Sequence, residues 1–378
     1  MEVNGTNTTL LQPCSDRSQP TKFIVVIQIV VYSVLLAFSF LGNSLVMLVV
    51  SRTNEIRATV NFFIFNMAVS DLIFTIVITP REITAVVSDI NRPWFLSGFI
   101  GSATCKLCYF IQDVCTAVSM LTLVAIATDR YYAIVFPMRS GVITPKIRKV
   151  MVISIWIIAM GFNFPNFYAF SVRRSDKNKN LDECVFVWDQ KQGLAYFLTS
   201  SAFLFILPLM TMIVIYSIIL VTIRRRKIPG SLESSRARRH KERRNRRVLK
   251  MVLAVLLAFL VCWLPVNIYI YMNYFGLHQQ STCNGKDTVL VVTLFLAYTN
   301  AAINPFIYFA FSENYRRAAV NIIKFKSKRQ QARRENTSLL ARASSVPASV
   351  IKNRALKLHL ELNEMTALEE VHNGERSE

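Results

Sequence analysis

Asn304-Pro305-Phe306-Ile307-Tyr308 stands near the end of an apolar run and puts an amide, a proline and a phenol where a membrane offers polar groups no partners. Such groups are expensive in hydrocarbon and are retained where a function uses them. The run is the last of seven. Windows of about 20 mostly apolar residues, the length a span requires, begin near Phe23, Thr59, Ala103, Lys149, Gly193, Val248 and Asp287. With 53% hydrophobic and 18% charged residues over 378 positions and a mean hydropathy of +0.36, the chain is too apolar for a soluble protein of this length. The reading is an all-α membrane protein, a seven-helix bundle whose interior carries a mechanism.

The net charge of +21 raises the question of nucleic acid, and the placement of the charge answers it. Arg224-Arg225-Arg226-Lys227 and the stretch from Arg236 to Lys250 separate spans five and six, and Arg316, Arg317, Lys324, Lys326, Lys328, Arg329, Arg333 and Arg334 follow span seven. Basic segments beside spans fix topology and meet anionic lipid, so these face the cytoplasm and nucleic acid is not an expected partner. The opposite loops mix signs, as in Arg173, Arg174, Asp176, Lys177, Asp182 and Glu183, which puts the N-terminus outside. Residues 1–22 lack the apolar core of a signal peptide, and Asn4-Gly5-Thr6 and Asn7-Thr8-Thr9 match the glycosylation pattern. The expected organisation is a glycosylated extracellular segment 1–22, a helical domain 23–311, an amphipathic surface helix 312–325 and a disordered cytoplasmic tail 326–378.

Cys105 opens span three and Cys184 lies in the loop between spans four and five, both on the oxidising side, so a bond between them is predicted. Cys14 and Cys283 are a second candidate pair. Cys108, Cys115 and Cys262 fall within spans and read as small buried hydrophobes.

Inside the spans, Asn43, Asp71, Ser119, Asn300 and Asn304 fall at similar depth. A lone carboxylate at the centre of a membrane costs about 2.5–3.5 kcal/mol. Asp71 therefore requires either a hard cation, for which sodium with water is the candidate, or hydrogen bonds from Asn43 and Asn304. No other cofactor is expected. At the inner end of span three, Asp129-Arg130-Tyr131 pairs opposite charges, and Arg130 is able to swing to another acceptor. In span six, Phe259 and Cys262-Trp263-Leu264-Pro265 place a bulky aromatic two residues before a proline hinge, while span five carries Pro208 with Tyr216 further inward.

These residues together resemble the rhodopsin-like, class A family of G-protein-coupled receptors over about Phe23 to Phe325. The resemblance is carried by Gly42-Asn43, the stretch Asn66 to Asp71, Asp129-Arg130-Tyr131, Trp156, Cys262 to Pro265, Asn304 to Tyr308 and the Cys105 and Cys184 pair. It implies a plasma-membrane receptor with an outer ligand cavity and an inner crevice that opens for a heterotrimeric G protein as helix six swings outward. Arg130, Tyr216 and Tyr308 match positions lining that crevice, and Met138 matches a hydrophobe contacting the G protein. Thr337, Ser338, Ser344, Ser345 and Ser349 are candidate sites for receptor kinases and arrestin. The chain departs from the family in three places: Arg244-Asn245-Arg246-Arg247 lacks an acidic partner for Arg130, Met120 replaces a branched aliphatic residue beside Pro208 and Phe259, and Ala301 stands where many relatives have serine.

For the ligand, Tyr298 occupies the position of the retinal-binding lysine, which argues against a pigment. Gln112 occupies the position of the amine-binding aspartate, and Asp113 is displaced from it by about 100° around the helix. Gln112, Trp94, Lys106 and the charged Cys184 loop resemble neuropeptide receptors of the RFamide, neuropeptide Y, orexin and galanin group. Glu82, Gln112, Asp113, Trp263 and Tyr298 are the candidate ligand contacts, and Tyr269, Tyr271, Tyr274 and Phe275 form either an aromatic rim for a peptide or an interfacial belt. A small-molecule receptor is the alternative. A transporter is a more distant one, since no inverted repeat is visible. Enzyme motifs are absent, and none of the four histidines lies within a span.

Overall fold

The structure is a computed structural model that describes residues 22–52, 59–88, 93–136, 142–175, 182–225, 232–277, 288–322 and 324, with the backbone alone at 232–245 and 288. Asn4, Asn7, Cys14, Met138, Cys283 and the tail from 326 onward lie outside the described residues. The chain divides into two compact units, Met1–Ala318 and Ala319–Glu378. The site lies wholly within the first.

Seven helices are long and apolar enough to cross a membrane: Lys22–Arg52, Thr59–Val87, Gly98–Val135, Pro145–Ala169, Gln190–Arg225, Arg246–Tyr274 and Val289–Phe311, here spans one to seven. The span-six helix begins earlier, at Leu232, so the basic stretch continues it at one end. Burial ranks the spans: 61% of the most apolar window of spans two and three is buried, against 11% for span one. Spans two and three are the centre of the bundle, and span one turns Phe23, Val30, Phe38 and Leu41 outward, where lipid suits them.

At one end of the bundle a small antiparallel sheet forms from β1 (Pro93–Trp94), β2 (Phe170–Arg174) and β3 (Asp182–Phe186), in the order β1-β3-β2. Cys184 sits mid-strand opposite Val172 and is bonded to Cys105 at the start of span three, with Cα atoms 5.8 Å apart. The Tyr109 ring stacks on Phe170 with centroids 3.9 Å apart, so the hairpin is packed as well as bonded onto span three. The disulfide end is thus distinct from the opposite, basic end, which carries Arg52, Arg130, Arg148, Arg224, Arg225, Arg246 and Arg247.

Proline accounting explains where the spans touch. Pro305 has no N–H, which frees the carbonyl of Ala301 one turn earlier, and in hydrocarbon that oxygen needs a replacement donor. Span one supplies two: Asn43 Nδ2 donates at 2.9 Å and Ser39 Oγ at 3.2 Å. The approach is close because Gly42 faces the proline. A Cβ there would stand 2.9 Å from both Cβ and Cγ of Pro305, atoms of a ring that cannot give way. Gly42→Ala is therefore expected to cost about 1–3 kcal/mol by prising span one from span seven. Gly161→Ala, with open space around its Cβ, is neutral or slightly stabilising. Thermal unfolding of the two purified variants checks the contrast; equal midpoints would show that the helices do not need this contact.

In span five the irregularity precedes the proline: Ala202–Ile206 forms a π turn, closed by Leu207 N–H on the Ala202 carbonyl, immediately before Pro208. At the ends of the spans, Thr144 caps span four ahead of Pro145, and Asp189 caps span five by accepting from Gln192 N–H at 2.7 Å. Arg316 Nη1 donates to the carbonyls of Phe309 and Ala310, closing span seven at the point where a further helical stretch, 313–322, begins.

Candidate functional site

The polar groups form three sets along the bundle. Midway down, Asp71 is buried; Asn304 Nδ2 donates to its Oδ2 at 2.9 Å, and Ser119 Oγ lies 3.5 Å from Oδ1. Ser119 also pairs with Ser70 at 3.0 Å. Asn43 does not reach Asp71, because its amide is spent on Ala301 and Ser39. Of the two hydrogen bonds expected from packing alone, only the one from Asn304 is made. The side-chain oxygens of Asn43, Asn300 and Asn304 are buried without a hydrogen-bond partner. A small cavity of about 10 Å³, room for about one water, lies beside them, lined by Asp71, Phe74, Cys115, Thr116, Ser119, Trp263, Ala297, Asn300 and Ala301. The Asp71 carboxylate and the unpartnered Asn300 oxygen on its wall are the kind of ligands a hard cation takes, while the Trp263 indole N–H is an unpartnered donor on the same wall. Ala301 supplies a carbonyl to span one and no hydroxyl to the cavity.

Toward the basic end, Arg130 folds back on its neighbour: Nε donates to Asp129 Oδ2 at 3.0 Å, and Nη2 donates to the same oxygen. Among the described side chains of the span-six helix, 246–274, there is no competing carboxylate, and Arg247 Nη1 lies 3.5 Å from Glu313 Oε2. The Tyr216 hydroxyl is buried with no partner, and Tyr308 makes only a long 3.7 Å contact to Met67 Sδ. Tyr315 packs on Tyr308 with centroids 6.2 Å apart and donates to Asn61 Oδ1 at 3.0 Å. Burial pushes the Tyr315 phenol well above its ordinary value, which keeps it a neutral donor. Asp129 and Arg130 thus neutralise each other while two phenols stand nearby with unused hydrogen-bonding capacity, as a switch in one of two positions would require. Tyr131 packs on Tyr132 and Phe136 at the rim of this end.

Between the two sets lies the hinge. Pro208, Met120 and Phe259 are buried together with their helices' inner faces. Phe259 meets Trp263 at 6.2 Å and Phe205 at 6.2 Å, and Trp263 meets Phe74 at 6.5 Å. The Trp263 indole N–H has no partner. Asn267 Nδ2 donates to the Trp263 carbonyl beside Pro265, another side-chain bond at a proline-interrupted turn.

The third set occupies the disulfide half. Glu82 and Tyr298, named from sequence, meet: the Tyr298 hydroxyl donates to Glu82 Oε1 at 3.2 Å. Between them stands Arg81, which sequence reasoning passed over. Its Nε donates to Glu82 Oε1 at 2.9 Å, its Nη2 reaches Tyr298 at 3.2 Å, and its Cζ lies 4.5 Å from the centroid of the Tyr109 ring. The adjacent charges of Pro80-Arg81-Glu82 inside an apolar run were the signal that could have found it. Gln112 presents an unpartnered side-chain oxygen, whereas Asp113 accepts from Asn166 Nδ2 at 2.9 Å on the span-four side. Glu82 is thus joined to Tyr298, and Tyr298 to Trp263 through Phe74, while Asp113 bonds Asn166 and Gln112 and lies within electrostatic reach of Arg81. Of the aromatic rim, Tyr269 is buried, Tyr271 and Tyr274 pack on Phe197, and Phe275 is exposed.

Residues 42–308 match the family model described as "7 transmembrane receptor (rhodopsin family)". The chain is 30% identical to a QRFP-like peptide receptor of Branchiostoma floridae over 80% of its own length and 79% of that protein's. It is 32% identical to growth hormone secretagogue receptor type 1 of Mus musculus over 76% and 78%. It is 27% identical to neuropeptide FF receptor 2 of Rattus norvegicus over 79% and 72%.

Proposed function

Since the chain belongs to the rhodopsin family of seven-transmembrane receptors, we propose that it binds a peptide at the disulfide end and signals to a heterotrimeric G protein at the basic end. It is a multi-pass membrane receptor rather than an enzyme. In this reading the disulfide end is extracellular, which the excess of Arg and Lys at the opposite end supports.

The observation that carries the peptide reading is the set formed by Arg81, Glu82 and Tyr298 beneath the β1-β3-β2 sheet, where buried donors and acceptors converge from spans two and seven. Peptides offer amides and charged side chains that such a set can meet. Two of the relatives bear the names of peptide receptors. Asp113, next in sequence to the amine-binding position, is already held by Asn166, which weakens the case for a small amine. Binding strains the aromatic contacts Phe74–Trp263 and Trp263–Phe259 and tilts the inner part of span six about Pro265, releasing Arg130 from Asp129 to face the G protein. Cells expressing the full chain, exposed to pools of synthetic peptides and read by nucleotide exchange on G proteins, test this; silence to every pool with normal surface expression would sink it.

In the same reading, Asp71, Ser119, Asn300 and Asn304 hold a sodium ion with water, which stabilises the resting bundle by supplying the positive charge that Asp71 lacks. Asp71→Asn is expected to leave peptide affinity indifferent to sodium, where the parent receptor loses affinity as sodium rises. Sensitivity that survives the substitution would exclude Asp71 as the ion's ligand. Receptor kinases, arrestin and anionic lipid are proposed partners of the basic end and the tail.

A further inference from the structure

Arg81 is nine-tenths buried in the disulfide half, and its environment leaves its hydrogen bonding unfinished. Nε and Nη2 are used on Glu82 and Tyr298, while Nη1, with two further N–H bonds, has no partner. The neighbouring Cys108 thiol is too weak an acceptor to complete it. The guanidinium cannot turn to find another. One face is covered by the Tyr109 ring, which is itself stacked on Phe170 of β2, and the far edge is clamped by Glu82. A second orphan donor belongs to the same cluster: Trp94 of β1 packs against the apolar residues around Cys108 and Tyr298, and its indole N–H is buried without a partner. A purely structural ion pair gains nothing from such orphans, each of which carries a desolvation penalty. Both are donors, so what is missing is oxygen.

We propose that Arg81 is a ligand-binding residue whose Nη1 edge, with the Trp94 indole N–H, takes an oxygen acceptor of the peptide: a terminal carboxylate, a terminal carboxamide or a main-chain carbonyl. The inference rests on the peptide reading above. A fixed, desolvated guanidinium edge makes a strong charge-assisted bond without further ordering cost. The contact also has a route to the hinge. Arg81 holds Tyr298, the Tyr298 ring meets Phe74 at 5.8 Å, and Phe74 meets Trp263 at 6.5 Å. An oxygen bound at Nη1 competes for the guanidinium's charge, weakens the Nη2 bond to Tyr298 and shifts the aromatic packing against Trp263. A cationic ligand group would instead meet the guanidinium's own charge, so this part of the cavity selects for acceptors.

The test uses the full chain in cells, with hexapeptide pools synthesised as free acids, as carboxamides and as decarboxylated peptides that lack a terminal oxygen. Pools that activate the parent receptor are expected to lose potency roughly 10- to 100-fold on Arg81→Met, at equal surface density. Arg81→Lys, which keeps the charge but not the planar fork, recovers part of the loss. The exchanged pair Arg81→Glu with Glu82→Arg retains an ion pair but moves the donors, and is expected to respond as poorly as Arg81→Met. Activity confined to acids, confined to carboxamides, or shared with the decarboxylated set identifies which oxygen is bound, each in support. Undiminished potency in Arg81→Met, or parental potency in the exchanged pair, overturns the proposal while leaving the peptide reading intact. If Arg81→Met fails to reach the surface, Arg81→Lys decides, and parental potency there overturns it. A parent receptor silent to all three sets overturns both readings.

Discussion

Receptors carrying Arg130→Ala are expected to reach the cell surface in normal number and to stimulate G-protein nucleotide exchange at least about tenfold less than the parent. The surface count follows from the way the side chain is held. Its hydrogen bonds run to Asp129, its neighbour on the same helix, so removing it breaks no hydrogen bond between the described spans. Asp129, itself buried, is left without its counter-charge, so the surface count is read beside the double variant Asp129→Asn with Arg130→Ala, which strands no charge. The signalling loss follows from what is present elsewhere. Tyr216 and Tyr308 bring hydroxyls with unused capacity to the same end of the bundle, and Arg130 is the guanidinium able to leave Asp129 and meet them when span six moves. Exchange measured on membranes with matched receptor density decides the matter, and full exchange would remove Arg130 from the switch.

Cys184→Ser is expected to have the largest effect on stability. The bond to Cys105 closes a loop over a sequence separation of 79 residues, for which the chain-entropy account gives about 4 kcal/mol. Part of the hairpin's position survives without it, because Tyr109 stacks on Phe170 and β1 pairs with β3 at Trp94 and Asp182. That residual packing has to hold the sheet over the third polar set unaided. The variant should lose most of its surface expression and, once solubilised, unfold at a clearly lower temperature than the parent. Cys105→Ser with Cys184→Ser should do no worse than either alone, since both remove the same bond. Parental thermal stability in the single variants would show that the loop is held by packing.

The bundle itself was legible because hydrophobic length in a membrane is a nearly one-to-one code. Six of the seven windows begin inside observed spans, and the seventh begins near Asp287, outside the described residues and two before Val289; other ends are displaced by a few residues where capping decides, as at Thr144-Pro145 and Asp189. The Cys105 and Cys184 bond was legible from depth alone. What sequence could not give was the partner of each polar group. Asn43 sits at the depth of Asp71, yet its amide serves the carbonyl that Pro305 frees, a demand visible only when the proline in span seven is placed against span one. That Asp113 accepts from Asn166 of span four is equally invisible until the turn of span three is placed against its neighbour. Arg81 was overlooked for a related reason: the incompleteness of its hydrogen bonding exists only in three dimensions. The π turn before Pro208 likewise leaves no mark in composition, since a proline predicts an irregularity and not which side of it the helix will widen.

The central claim is that span six takes two positions, and the distance between the basic ends of spans four and six reports it. Nitroxide labels at Lys146 and Lys250, residues in spans four and six, would be measured by pulsed electron–electron resonance in the purified full chain, with and without an activating peptide pool and nucleotide-free G protein. The account predicts two resolved distances, the longer one gaining weight when peptide and G protein are both present and losing it in Arg130→Ala. A single distance, unmoved by either addition, would contradict it.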